Sequence, residues 1–189
     1  MNPKEFLLLF VGGGLFISLG DRVHIAYGVL TQADTSFFGQ AWWVMPNFGC
    51  VSIALYFGYG FLRKLNGEEV SNFSSRRLLT TSCAFLLAYA STGPLDAWGW
   101  WLAALLSIWW LLRIIIWPVR KSVIQFVVIL AFVGPLAEAF QSSTGLFAYD
   151  HPDLGLVPSW LFAIYLHGAL VVPEVEALIR GRKERNPHL

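Results

Sequence analysis

Six long apolar runs, separated by short polar segments, set the pattern of this chain. They read as membrane spans at Phe6–Tyr27, Ala41–Leu62, Leu78–Thr92, Trp98–Trp117, Val123–Ser143 and Trp160–Ile179. The runs are continuous rather than alternating, which excludes the period-2 strands of a membrane barrel. About 20 helical residues at ~1.5 Å each cover the hydrocarbon core of a bilayer. Lipid tolerates only structures that satisfy their own backbone hydrogen bonds, so the pattern predicts an all-α integral membrane protein, one six-helix domain over residues 1–189. The third run is short, and Gly93-Pro94-Leu95-Asp96 after it reads as a tight turn. Pro46 falls in the first turns of the second span, where its missing N–H is tolerated. The first run follows Lys4 as a leader peptide would. No small-x-small cleavage site follows it, however, and Gly12, Gly13 and Gly14 suit close helix packing instead.

Composition agrees with the pattern: 56% of residues are hydrophobic, 13% are charged, mean hydropathy is +0.58 and nine residues are Trp. A soluble domain carries nearer ~25% charged residues. The net charge of +1 identifies no partner and lends no support to nucleic-acid binding, but the distribution of charge is informative. Six spans put both termini on one side, together with Lys4, Arg63, Lys64, Arg76, Arg77, Arg120, Lys121, Arg180, Arg182, Lys183 and Arg185. The opposite loops carry Asp34, Asp96, Asp150 and Asp153 and no Lys or Arg, the nearest being Arg22 at a helix end. The positive-inside rule then places both termini in the cytoplasm. Arg113 lies near the inner end of the fourth span, placed to snorkel inward. Cys50 and Cys83 fall inside spans and read as packing residues rather than as a disulfide or metal pair.

A hairpin is repeated 117 positions apart. Asp21 corresponds to Glu138, His24 to Gln141, Gly28 to Gly145, and Trp43 to Trp160. Four spans separate the copies, so both point the same way, as in a parallel duplication. A bland reading also exists, in which helix ends favour Gly and helix starts at an interface favour Trp. Asp21, His24 and Gly28 share one helix face at i, i+3, i+7, and Glu138, Gln141 and Gly145 repeat that face. Acids inside a membrane face a bundle interior or a wet cavity. If both helices line one cavity, its polar end can hold a lipid head or move protons. In the competing structural reading, Asp21 pairs with Arg22 or His24 and Glu138 bonds a neighbouring helix. His167, mid-span, reads as a hydrogen-bonded packing residue before it reads as a ligand. Glu174 and Glu176 sit near the inner end and suit pairing with the basic loops. No metal-ligand spacing, nucleophile elbow, phosphate loop or redox cysteine pair appears, so no metal, cofactor or catalytic set is expected. Asp150-His151-Pro152-Asp153 reads as a solvated turn, with a small cation site as the alternative.

Three stretches resemble the Insig (insulin-induced gene protein) family. Ala41-Trp42-Trp43-Val44-x-Pro46 is similar to its AWWVPP, and Ala104-Leu105-x-Ser107-Ile108-Trp109-Trp110 to its fourth-helix motif. Gly145-x-x-x-Tyr149-x-x-Pro152-Asp153-x-x-x-Val157-x-Ser159-Trp160-Leu161 is similar to its connection between the fifth and sixth helices. The resemblance implies six helices, cytosolic termini and a non-enzymatic protein that binds a diglyceride- or sterol-like membrane lipid inside the bundle, with a regulatory role and a homo-oligomeric state among the expectations it raises. The site residues expected from this and from the repeat are Asp21, His24, Trp42, Trp43, Glu138, Gln141, Trp160 and His167. Animal members partner Scap and HMG-CoA reductase. Two departures put such partners in doubt here and favour a prokaryotic member in a bacterial or archaeal plasma membrane rather than an endoplasmic reticulum. Only about five residues precede the first span, and Arg113 stands where the animal proteins carry an aspartate. The rival readings are an intramembrane isomerase or cyclase, with Asp21 or Glu138 as acid and His24 or His167 as base, and a small transporter.

Overall fold

The computed structural model describes residues 1–185; positions 186–189, and the side chains of Arg182, Lys183 and Arg185 in the basic tail, lie outside the described residues. The apolar runs become α1 (Pro3–Ala26), α2 (Val44–Leu65), α3 (Ser75–Leu95), α4 (Trp100–Ile116), α5 (Lys121–Ser143), and a last pass made of α6 (Leu161–Ala169) followed by α7 (Val171–Arg185). Among the described residues five of these passes are long and apolar enough to cross a membrane, and α4, at 17 residues, is shorter. This is an all-α membrane fold.

Local chemistry sets the helix ends. Asn2 caps α1, accepting from the Glu5 N–H at 2.8 Å while the Glu5 carboxylate accepts from the Asn2 N–H at 2.8 Å, and Pro3 occupies the first turn. Ser74 caps α3 through the Arg77 N–H. Within α1, residues Leu8–Gly13 form a wide π turn. The expected turn at Gly93-Pro94-Leu95-Asp96 is not where the chain reverses. Helix α3 runs through Pro94 to Leu95, and a 3₁₀ turn at Asp96–Trp98 follows, with Gly99 at φ 47°. Pro94 sits in the last helical turn, where few ladder bonds remain to lose, and Gly99 supplies the left-handed conformation that reversal needs.

The outer loops hold two short strands, β1 (Leu30–Gln32) and β2 (Phe147–Tyr149), paired antiparallel with Thr31 opposite Ala148. These two residues are related by the 117-residue repeat, so the ribbon lies across a local two-fold relating the copies. The rest of the loops obeys the same offset. Helix α1 ends at Ala26 and α5 at Ser143; Gly28 and Gly145 have φ 72° and 78°; the bridge Phe37–Gln40 corresponds to Leu154–Val157; and helix starts at Trp43 and Trp160 correspond. The largest core cluster sits beneath this ribbon. Val29, Leu30, Phe147 and Tyr149 from the loops meet Tyr89, Leu102, Trp160 and Ile164 from the helices. On the side of the termini the buried Arg63 of α2 holds the buried Glu176 of α7 at 2.9 Å, and Arg180 bonds the same carboxylate at 3.0 Å.

Candidate lipid cavity

The middle of the bundle holds a cavity of about 370 Å³, walled by α1, α2, α3 and the last pass, with α5 contributing Leu130 and Glu138. Its lining is apolar apart from a few groups, chiefly Glu138, Tyr89 and Tyr165 at one end and Ser52 and Ser82 along the wall. A cavity of this character stays dry or takes an apolar guest.

The polar end is built from both copies of the repeat. Tyr89 of α3 donates its hydroxyl to Asp21 Oδ1 at 2.8 Å. Glu138 accepts from Tyr165 at 2.5 Å and from Tyr149 of β2. The two carboxyl groups lie within electrostatic reach of one another. Asp21 and Glu138 are thus brought together as the repeat suggested, and three tyrosines hold them. Those tyrosines went unnoticed in the sequence because they arrive from α3, the ribbon and α6, and tyrosine is common in membrane proteins. No periodicity on the acid's own helix announces them.

Of the expected site residues only Glu138 lines the cavity, and Asp21 stands behind Tyr89, which does. His24 is fully buried behind Tyr89, its ring 4.3 Å from that of Tyr89 and 5.3 Å from that of Trp160. Thr92 Oγ1 donates to the Tyr89 carbonyl, so His24 Nε2, 2.6 Å away, donates to Thr92. That fixes the tautomer and leaves Nδ1 as an acceptor without a partner among the described residues. Trp160 is fully buried and donates its indole N–H to Asp96 Oδ1 at 3.0 Å. Trp43 packs on the core, while Trp42 is 65% exposed and faces outward. Gln141 is half-buried on α5. His167 is buried in the α6 face that meets α4: its Nε2 donates to the Leu106 carbonyl at 3.0 Å, and Arg113 donates to its Nδ1 at 3.1 Å. Arg113 therefore reaches back along α4 into the bundle. The expected inward snorkelling does not occur, because a neutral imidazole offers it an acceptor there.

A second polar cluster seals the outer end. Asp96 is 6% exposed and accepts from Trp160 on one oxygen and from His151 Nδ1, 2.7 Å away, on the other. Asp150 is 3.2 Å from the same imidazole nitrogen, and Asp153 holds the Ser159 N–H and hydroxyl. The bond to Asp96 raises the pKa of the His151 imidazole above its ordinary value. The Asp150–Asp153 segment, read as a solvated turn, is tied down at both ends.

No family model and no curated protein matches the sequence. Two solved structures do match in shape, both of MvINS, a mycobacterial Insig homolog from Mycobacterium vanbaalenii. The first superimposes with a TM-score of 0.83 at 20% identity, covering 100% of this chain and 99% of that one. The second, a cross-linked MvINS trimer, gives 0.78 at 22% identity, covering 100% and 99%. The chain has the Insig fold. The match in shape spans this chain from end to end.

Proposed function

We propose that this chain is a prokaryotic Insig homologue that holds a neutral, hydroxyl-bearing lipid, diglyceride- or sterol-like, in the central cavity. The reading places it in a plasma membrane with both termini cytoplasmic and assigns it a binding role rather than a catalytic one. The observation that carries it is the cavity itself: apolar walls ending in Glu138, with Tyr89 and Tyr165 beside it. Hydrocarbon fits the walls. At the polar end, the Glu138 carboxyl group disfavours a phosphate or a free fatty acid, whereas an alcohol is able to hydrogen-bond with both a carboxyl group and a tyrosine. The cross-linked trimer of MvINS supports a homo-oligomer.

The test is native mass spectrometry of protein purified in mild detergent, with lipid extraction of the same sample. The expected result is a stoichiometric diglyceride or sterol. In Glu138→Gln the affinity falls by about tenfold, since one hydrogen bond of roughly 1.5 kcal/mol is weakened. Failure of the wild-type protein to retain or take up either lipid ends this reading. A Glu138→Gln variant that binds normally but abolishes conversion of an added lipid would favour the isomerase reading.

A further inference from the structure

We infer that the cavity loads sideways from the bilayer, through a gap between α1 and α3 in the leaflet on the side of the termini. This rests on the lipid-binding reading of the cavity. Helices α1 and α3 run parallel, and their contacts keep one register. Phe16 meets Phe85 with ring centroids 5.7 Å apart; at Gly20 an added Cβ would lie 2.7 Å from the Tyr89 ring; His24 bonds Thr92 at 2.6 Å. These rungs join residues about 69 positions apart, and they run from mid-helix to the outer end.

One and two turns further toward the terminal side, the same register would join Gly13 to Ser82 and Leu9 to Leu78. There the helices part, and all four residues line the cavity instead. In that half α1 packs against α2 and not closely against α3. Leu9 turns to Tyr56 and Ile179, which close the floor. Leu8, 43% exposed, and Gly12, also exposed, belong to the cavity wall and to the outer surface at once. Together with the parting of α1 and α3, this places the opening between Phe16–Phe85 above and the Leu9 floor below. The π turn Leu8–Gly13 falls at this height. The bilayer supplies an apolar ligand here without passage through water, where its hydrocarbon would be exposed at ~25 cal/mol per Å².

The variants are chosen to narrow the gap without disturbing the rungs. An added Cβ at Gly12 meets only Leu8 at 3.6 Å, so Gly12→Trp is chosen to narrow the gap from α1 and Ser82→Trp to narrow it from α3. Leu79→Trp, on the 65% exposed face of α3 and off the cavity wall, is the control. Proteoliposomes loaded with diglyceride are mixed with vesicles carrying deuterated diglyceride, and native mass spectrometry follows exchange. Both gap variants should slow exchange by about tenfold or more at retained stoichiometry, with Leu79→Trp at the wild-type rate. Exchange at the wild-type rate in both gap variants overturns the route while leaving lipid binding intact. Absence of diglyceride from the wild type removes the binding reading and the route together. If the tryptophans prevent folding, Ser82→Cys in a Cys50→Ser, Cys83→Ser background carries the test. A bilayer-soluble maleimide should label it several-fold more slowly when diglyceride is bound, and equal labelling overturns the proposal.

Discussion

Asp96 and His151 illustrate what a single side chain does in this fold. Asp96, buried, opens the turn into α4, and it grips Trp160 at the start of the last pass and His151 in the outer loop. The groups facing His151 are Asp96 and Asp150, with Asp153 in the same hollow. Its raised pKa means the folded state binds the proton more tightly than the unfolded chain does. The resulting stabilisation is fully present below the unfolded value of about 6.5 and is lost as pH rises through the raised folded value. The melting-temperature advantage of wild type over His151→Gln should therefore be largest at mildly acid pH and disappear in alkaline buffer; an advantage that grows with pH would contradict this assignment. At this scale the sequence was informative about acids and silent about their partners. Asp21 and Glu138 stood out because a carboxyl group in an apolar run is expensive. Tyr89, Tyr149 and Tyr165 did not, because their roles depend on helix rotation, which packing sets. His24 shared a face with Asp21, as its spacing required, yet the face is wide enough for Tyr89 to stand between His24 and the cavity.

Elements were more legible than contacts. Hydropathy located the five helices long and apolar enough to cross a membrane and the shorter α4, since a run that must cover the bilayer core is continuous. It missed the strands β1 and β2, which are three residues each with a buried-exposed-buried pattern too short to register. It also placed a turn at Pro94 that belongs three residues later, because proline ends helices in water more reliably than in the last turn of a packed membrane helix. The 117-residue repeat was visible as a few matched residues, and the structure extends it to backbone geometry. Gly28 and Gly145 both cap their helices at positive φ, and an added Cβ at either meets nothing within 4 Å. Alanine at these positions therefore costs only the backbone strain of a left-handed L-residue, about 1–2 kcal/mol. Gly28→Ala and Gly145→Ala should destabilise by that amount and by equal amounts, measured by chemical unfolding in detergent. A cost at one position without the other would mean that the two turns are not the same element used twice.

Across the molecule, the polar groups divide between the two ends of the cavity, and each end is closed differently. The outer end is closed by neutral and acidic groups from the repeated hairpins under a strand ribbon. The terminal end is closed by an ion pair that joins two distant passes, Arg63 of α2 and Glu176 of α7, with side chains 6% and 2% exposed. Two contacts, at 2.9 and 3.1 Å, give the bidentate geometry that arginine provides and lysine cannot. Arg63 also donates to the Glu68 carbonyl at 2.6 Å, and the Glu68 side chain in turn accepts from the Ser122 N–H and hydroxyl, so the loop after α2 and the start of α5 are drawn into the same network. Such a pair need not be net stabilising relative to a well-packed apolar pair, because both ions are desolvated. Removing one partner, however, strands the other. Glu176→Gln should therefore cost about 3–5 kcal/mol, whereas Arg180→Gln, which removes the 40% exposed partner of the same carboxylate, should cost no more than about 1 kcal/mol. The double variant Arg63→Leu, Glu176→Leu should recover much of the single loss. If Glu176→Gln unfolds at the wild-type denaturant concentration, the pair does not hold α2 to α7. The floor formed by Leu9, Tyr56 and Ile179 must then be kept in place by apolar packing alone.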